Sequence, residues 1–225
     1  MDAFYVSPWP GILVCTILFI SDHSFTVACA RMYQSDGVRQ HFAFEGSYEL
    51  NPFHQADIDA LRRVSPRFWF ALLLPWPALQ LIWLVGNSDS MSVPVYEFAL
   101  GAIILMQLTI HVRHLRNYFL FRAMIAGEGV AGRMEYARRT ILTQSAVEFF
   151  AFAALYTAIF ILTMKWFVIG GAFACSVIGV QHGQLARKAK GPLTCEPSGR
   201  GVSPARSVDS STQVASNAQS STRPG

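Results

Sequence analysis

The sequence predicts an all-α fold: a polytopic transmembrane helical bundle of five spans, with the N-terminus outside and the C-terminus in the cytoplasm. Three observations carry that expectation. Apolar residues fill 52% of the 225 positions and charged residues only 14%, a balance that belongs to membrane proteins rather than soluble domains. Five stretches are apolar over about 20 residues, enough at about 1.5 Å of rise per residue to cross a hydrocarbon core about 30 Å thick. Positive charge is distributed one-sidedly. Of the 18 Lys and Arg, five lie in the 31–67 connection, six in 113–139 and six after residue 183, leaving Lys165 alone on the other side.

The first span is expected over Gly11 to Ala30. Ala28-Cys29-Ala30 imitates a signal-cleavage site, but residues 1–10 carry no positive charge and the apolar run is interrupted by Ser21-Asp22-His23-Ser24, so a retained span is the better reading. In the 31–65 connection, Asn51 and Pro52 have the grammar of a helix start and predict a short interfacial helix to about Val64, with Asp57, Asp59, Arg62 and Arg63 in water. Ser65 and Pro66 repeat that grammar and open the second span, Phe68 to Gly86, which Pro75 and Pro77 should kink. The third span, about Val95 to Val112, is expected to continue as helix through Arg122. Glycines at 127, 129 and 132 then mark a connection. The fourth span is Ile141 to Met164 and the fifth Trp166 to about Gly183, with a turn at Lys165.

Residues 1–190 therefore form the membrane domain. Residues 191–225, rich in Ser, Gly and Pro and without an aromatic residue, read as a disordered cytoplasmic tail. Gly171, Cys175 and Gly179 recur at four-residue spacing, a small-residue face suited to close helix contact and hence to a homo- or hetero-oligomer. The expected partners are the lipid bilayer, that second chain, and a small ligand or proton. Despite a pI near 9.0, the basic residues cluster beside the apolar segments, which argues against nucleic acid. The cysteines show no paired spacing for a disulfide framework.

Ionisable groups at membrane depth are costly, by about 3 kcal/mol on insertion scales, and need a protein or aqueous partner. Asp22, Gln107 and Glu148 fall at matched depth by helical rise, about 9 to 12 Å inside the inner face. On the third span Gln107, His111, His114, Tyr118 and Arg122 form one stripe roughly 100° wide. The expected pocket is open to the cytoplasm, lined by Asp22, His23, Gln107, His111 and Glu148, and covered by the segment carrying Glu49 and Asn51. Asp22 and Glu148 are expected to share one site and hold one proton between them. Each polar residue taken alone reads more readily as a device that cross-links helices by hydrogen bonds, and the set reads equally well as either. His111 and His114, three apart, are the candidates for a metal, but their spacing is weak and no cofactor is assigned.

The motifs SYELNP (47–52), SPRF (65–68), YEFALGA (96–102), HVRHLRN (111–117) and SAVEFFAFAALY (145–156) resemble those of small bacterial polytopic membrane proteins with a first-helix Asp and a Glu-x-Asn-Pro motif before the second helix. The resemblance covers residues 11 to about 190, implies a location in the bacterial inner membrane, and brings no activity with it. It draws attention to Asp22, Glu49, Asn51 and Pro52. Three functional readings stay open. The first is a ligand- or proton-binding membrane protein acting in transport, sensing or assembly. The second is a membrane-embedded enzyme acting on a lipid or isoprenoid, and the third is a structural subunit of a membrane complex.

Overall fold

The computed structural model describes residues 7–86, 92–128 and 131–189, all within one compact unit, Met1–Leu193. The tail expected at 191–225, Gly129, and the loop residues 87–91 lie outside the described residues. The elements in chain order are α1 (Trp9–Tyr33), α2 (Asp36–Arg39), β1 (Phe42–Phe44), α3 (Gln55–Asp59), α4 (Pro66–Leu73), α5 (Pro75–Gly86), α6 (Ser92–Ile125), β2 (Met134–Tyr136), α7 (Arg138–Thr163) and α8 (Trp166–Lys188).

Five helices are long and apolar enough to cross a membrane: Trp9–Tyr33, Pro66–Val85, Val93–Ile125, Arg138–Thr163 and Trp166–Lys188. They coincide with the five stretches read from the sequence, each extended by polar or interrupted residues at its ends. Their outward faces carry Leu13, Leu81, Leu84, Val112, Ile161 and Leu162, all exposed, an arrangement suited to a hydrocarbon solvent. The proline interruption is real. α4 starts at the Ser65 cap, whose Oγ accepts the Phe68 N–H at 3.0 Å, and stops before Leu74, because Pro75 and Pro77 have no N–H for the carbonyls a turn earlier. α6, 34 residues and so about 51 Å long, projects well past a membrane thickness.

α6 is the spine of the bundle. It packs against α1 on one side, α5 on another and α8 on a third, while α7 packs on α8. Glycines allow the closest of these contacts. A Cβ at Gly101 would run into the Phe167 carbonyl, and one at Gly170 into the Phe98 carbonyl, so α6 and α8 approach backbone to backbone. Gly171 lies under Leu105 and Gly179 under Phe150, and buried Cys175 is 3.6 Å from Thr109 Oγ1. The small-residue face expected to join a second chain is thus filled by α6 and α7 of its own chain. Cys15 and Cys29 are likewise buried and unbridged.

Two features differ from the sequence reading. β1 and β2 form a short parallel ladder, Phe42 opposite Met134 and Phe44 opposite Tyr136, in a chain expected to be all helix. Three-residue strands leave no periodicity to read. The ladder ties the 34–65 connection to the 126–137 connection, so both lie at the same end of the bundle. The short helix expected from Asn51 to Val64 is also shorter than that, Gln55–Asp59. Asn51 Oδ1 accepts the Phe53 N–H at 3.1 Å, closing a turn two residues on, and Leu61 at φ 51° ends the helix by a left-handed step. Asp57, expected in water, is buried and pairs with Arg62 at 3.2 Å and Arg67 at 3.9 Å.

Candidate functional site

A cavity of about 580 Å³ opens between α1, α4, α6, α7 and α8 at the end where the two connections meet. It exists because α7 packs on α8 rather than on α6, so the gap between α6 and α7 is bridged by side chains. Arg116 binds Glu148 directly, Arg113 lies 3.8 Å from the other Glu148 oxygen, and Arg113 donates to Ser145 Oγ at 2.5 Å. Ser145 Oγ is in turn 2.7 Å from His182 Nδ1 on α8. These bonds fix the charged wall.

The opposite wall belongs to α1 and α6. His114 Nε2 lies 2.9 Å from Asp22 Oδ1 and 3.1 Å from Thr26 Oγ1. The one hydroxyl hydrogen of Thr26 goes to the Asp22 carbonyl at 2.9 Å, so Thr26 accepts from His114 and the imidazole carries its hydrogen on Nε2. Asp22 Oδ1 sits off hydrogen-bonding geometry despite its short ion-pair distance. Asp22 Oδ1, Gln107 Oε1 and His114 Nδ1 are the buried side-chain polar atoms without a hydrogen-bond partner among the described residues, and all three residues line this cavity. Gln107 is only 2% exposed.

The roof is the 47–54 segment. Glu49 Oε1 accepts the Asn51 N–H at 2.7 Å, and the Glu49 carbonyl accepts from Gln55, so the Glu-x-Asn-Pro text folds back on itself and holds the carboxyl over the cavity. Burial pushes the Glu49 carboxyl above its ordinary range. The Asn51 hydrogen bond opposes that, the charge of Asp22 adds to it, and His114 and Arg113 oppose it in turn. Between the ordinary value of 4.5 and the folded one, the folded chain binds more protons. The stability this group contributes therefore falls as pH rises through that window. Burial likewise pushes His54 down and the Tyr48 phenol up.

Of the residues singled out in the sequence, Asp22, His23, Glu49, Asn51, Gln107 and Glu148 all line this cavity. His111 does not. It bonds Ser21 Oγ at 2.5 Å and the Gln107 carbonyl at 2.6 Å, on the far side of the contact between α1 and α6. The reason is angular. His114 and His111 fall about 20° and 40° to opposite sides of Gln107 on the helix, and α1 lies along the stripe and divides it. With both ring nitrogens of His111 engaged and His114 turned to Asp22, the pair does not form a common metal site. No group of three or more His, Cys, Asp and Glu with metal-binding arrangement occurs among the described residues. Asp22 and Glu148 line the same cavity on different partners, Asp22 beside His114 and Glu148 on Arg116 and Arg113. Arg113, Ser145 and His182 were not among the expected site residues.

Comparison of the chain with protein families, with curated proteins and with solved structures gives no match.

Proposed function

We infer that the chain is a multi-pass protein of the cell membrane, of the bacterial inner membrane on the resemblance of its motifs, whose cytoplasm-facing cavity binds a small polar ligand. The observation that carries the reading is the concentration of unsatisfied buried polar atoms in one cavity. A buried donor or acceptor left without a partner is unfavourable by about 1–3 kcal/mol, and a purely structural network has every reason to close. A cavity of about 580 Å³ is also in the range that small ligands occupy. Transport, sensing and assembly all begin with such binding. Native mass spectrometry of the protein released from gentle detergent should show a small adduct. The reading fails if no adduct is seen and a cysteine placed at 107 is unreactive to water-soluble thiol reagents.

The orientation rests on the charge asymmetry, and the ladder between the 34–65 and 126–137 connections supports it by holding both at one end. Reporter fusions after residues 128 and 188 should be cytoplasmic and one after 165 outside. A cytoplasmic reporter at 165 would remove the five-span arrangement.

A second reading, a membrane-embedded enzyme on a lipid-like substrate, draws on the contact between Ser145 and His182. It is less well supported, because Ser145 is 1% exposed and its oxygen is already held by Arg113. Covalent labelling of Ser145 by a fluorophosphonate would favour it.

A further inference from the structure

We propose that the cavity is a site for a small organic ammonium ion, which enters in exchange for a proton on Glu49. The proposal rests on the ligand-binding reading above and gives that ligand a chemical class.

The fixed charges come first. Three carboxylates line the cavity, Asp22, Glu49 and Glu148, against two guanidinium groups, Arg113 and Arg116. Both arginines are committed to Glu148, and Asp22 faces only the ring of His114. Glu49 has no Lys, Arg or His within ion-pair distance among the described residues, and its one side-chain hydrogen bond is from the neutral Asn51 N–H. The remaining titratable groups facing the cavity are His23 from α1, Tyr48 and His54 from the connection, Tyr136 from β2, and His182 from α8. With imidazoles neutral, the cavity is short of one positive charge, and the shortage falls on Asp22 and Glu49, the carboxylates that neither arginine reaches. A proton on Glu49 would fill it in the empty site, and burial of that carboxyl beneath the 47–54 segment favours the protonated form.

The hydrogen-bond shortage has the same sign. Gln107 Oε1 and Asp22 Oδ1 are acceptors without a donor. His114 carries its hydrogen on Nε2, so in the neutral ring Nδ1 is a third. A primary ammonium brings three N–H donors and the missing charge together. Phe19, Phe68 and Phe149 on the walls supply apolar surface for the carbon part. An anion has no such place. Its charge would face Glu49 and Asp22, and the arginines that might receive it already hold Glu148.

Isothermal titration of the full chain in lipid nanodiscs tests the proposal with three ligands of one shape: benzylammonium, benzyltrimethylammonium and phenylacetate. Benzylammonium should bind. The trimethylated cation, which has no N–H, should bind about tenfold more weakly, and phenylacetate should not bind. Repeating the titration in buffers of different ionisation enthalpy should show proton release with benzylammonium, diminishing as pH rises. Glu49→Gln should weaken binding about 30-fold or more and abolish the release, and Gln107→Leu should weaken it about tenfold. Should Glu49→Gln fail to fold, proton release by the unaltered protein still decides the exchange. Binding of benzylammonium without release overturns the exchange. Binding of phenylacetate in place of benzylammonium overturns the ammonium class and leaves the ligand-binding reading standing. Failure of all three ligands overturns the proposal, and it overturns the ligand-binding reading as well if a cysteine at 107 is also inaccessible.

Discussion

Gly170→Ala is expected to lower the stability of the bundle by about 2–4 kcal/mol, whereas Gly183→Ala on the same helix should be neutral or stabilising by up to about 1 kcal/mol. The two substitutions add the same methyl group to α8. At Gly170 that carbon would meet the Phe98 carbonyl and lie 2.9 Å from the Ala102 nitrogen, both backbone atoms of α6 that no rotamer change can move. At Gly183 nothing lies within 4 Å. Relief at Gly170 requires α6 and α8 to separate. That separation would loosen Leu105 over Gly171 and the contact of Thr109 with Cys175, and the reciprocal approach of Gly101 to Phe167 would go with them. In a bilayer no hydrophobic drive reseals the gap, because lipid tails are as apolar as the side chains. Thermal unfolding in detergent micelles checks the pair. Equal tolerance of both substitutions would show that α6 and α8 do not meet backbone to backbone.

That interface also shows what a sequence can and cannot convey. The small residues Gly171, Cys175 and Gly179 are visible as a spaced set, and spacing announces a contact, but not whether the partner is another helix of the same chain or a second copy. Gly101, which meets Phe167, stands alone in its span and has no pattern at all. The spans themselves were legible because apolar length and the placement of Lys and Arg are properties of contiguous text. Ser65-Pro66 and Pro75 acted through neighbours a turn away, so they too could be read locally. Asn51 misled for the same kind of reason, since its side chain serves a helix cap and a two-residue turn equally well and the backbone beyond it decides between them.

The site was half legible. Asp22, Gln107 and Glu148 announced themselves as polar groups at matched depth in apolar segments, and depth alone brought them to one cavity. Angle was harder. His111 and His114 sit 60° apart on one broad stripe, and only the line along which α1 crosses α6 decides that His114 enters the cavity while His111 turns to Ser21. In the sequence Arg113 is one of the charges that set orientation, which is the usual role of an arginine at that boundary, and its bond to Ser145 is a meeting of residues 32 apart on different helices. Ser145 and His182 are ordinary polar residues in helices that contain several.

Glu148→Gln should cost about 2 kcal/mol, and its combination with Arg113→Met should cost less than the sum of the two single changes by about 1 kcal/mol or more. The asymmetry comes from what each change leaves behind. Removing the carboxylate frees Arg116, half exposed, to turn to water, but strands Arg113, whose side chain is 21% exposed and tied to Ser145. Removing Arg113 instead leaves Glu148 with Arg116, so that single change is milder. Partial exposure keeps both values below those of a fully buried pair. Since these side chains bridge the gap between α6 and α7, the loss should appear in unfolding of the bundle rather than only in ligand affinity. Asp22→Asn provides the contrast. Its partners are His114 and no group that Glu148 touches, so Asp22→Asn and Glu148→Gln should add within about 0.5 kcal/mol. Strong coupling between Asp22 and Glu148, with additivity between Arg113 and Glu148, would mean that the two carboxylates do share a proton and that the arginines are bystanders.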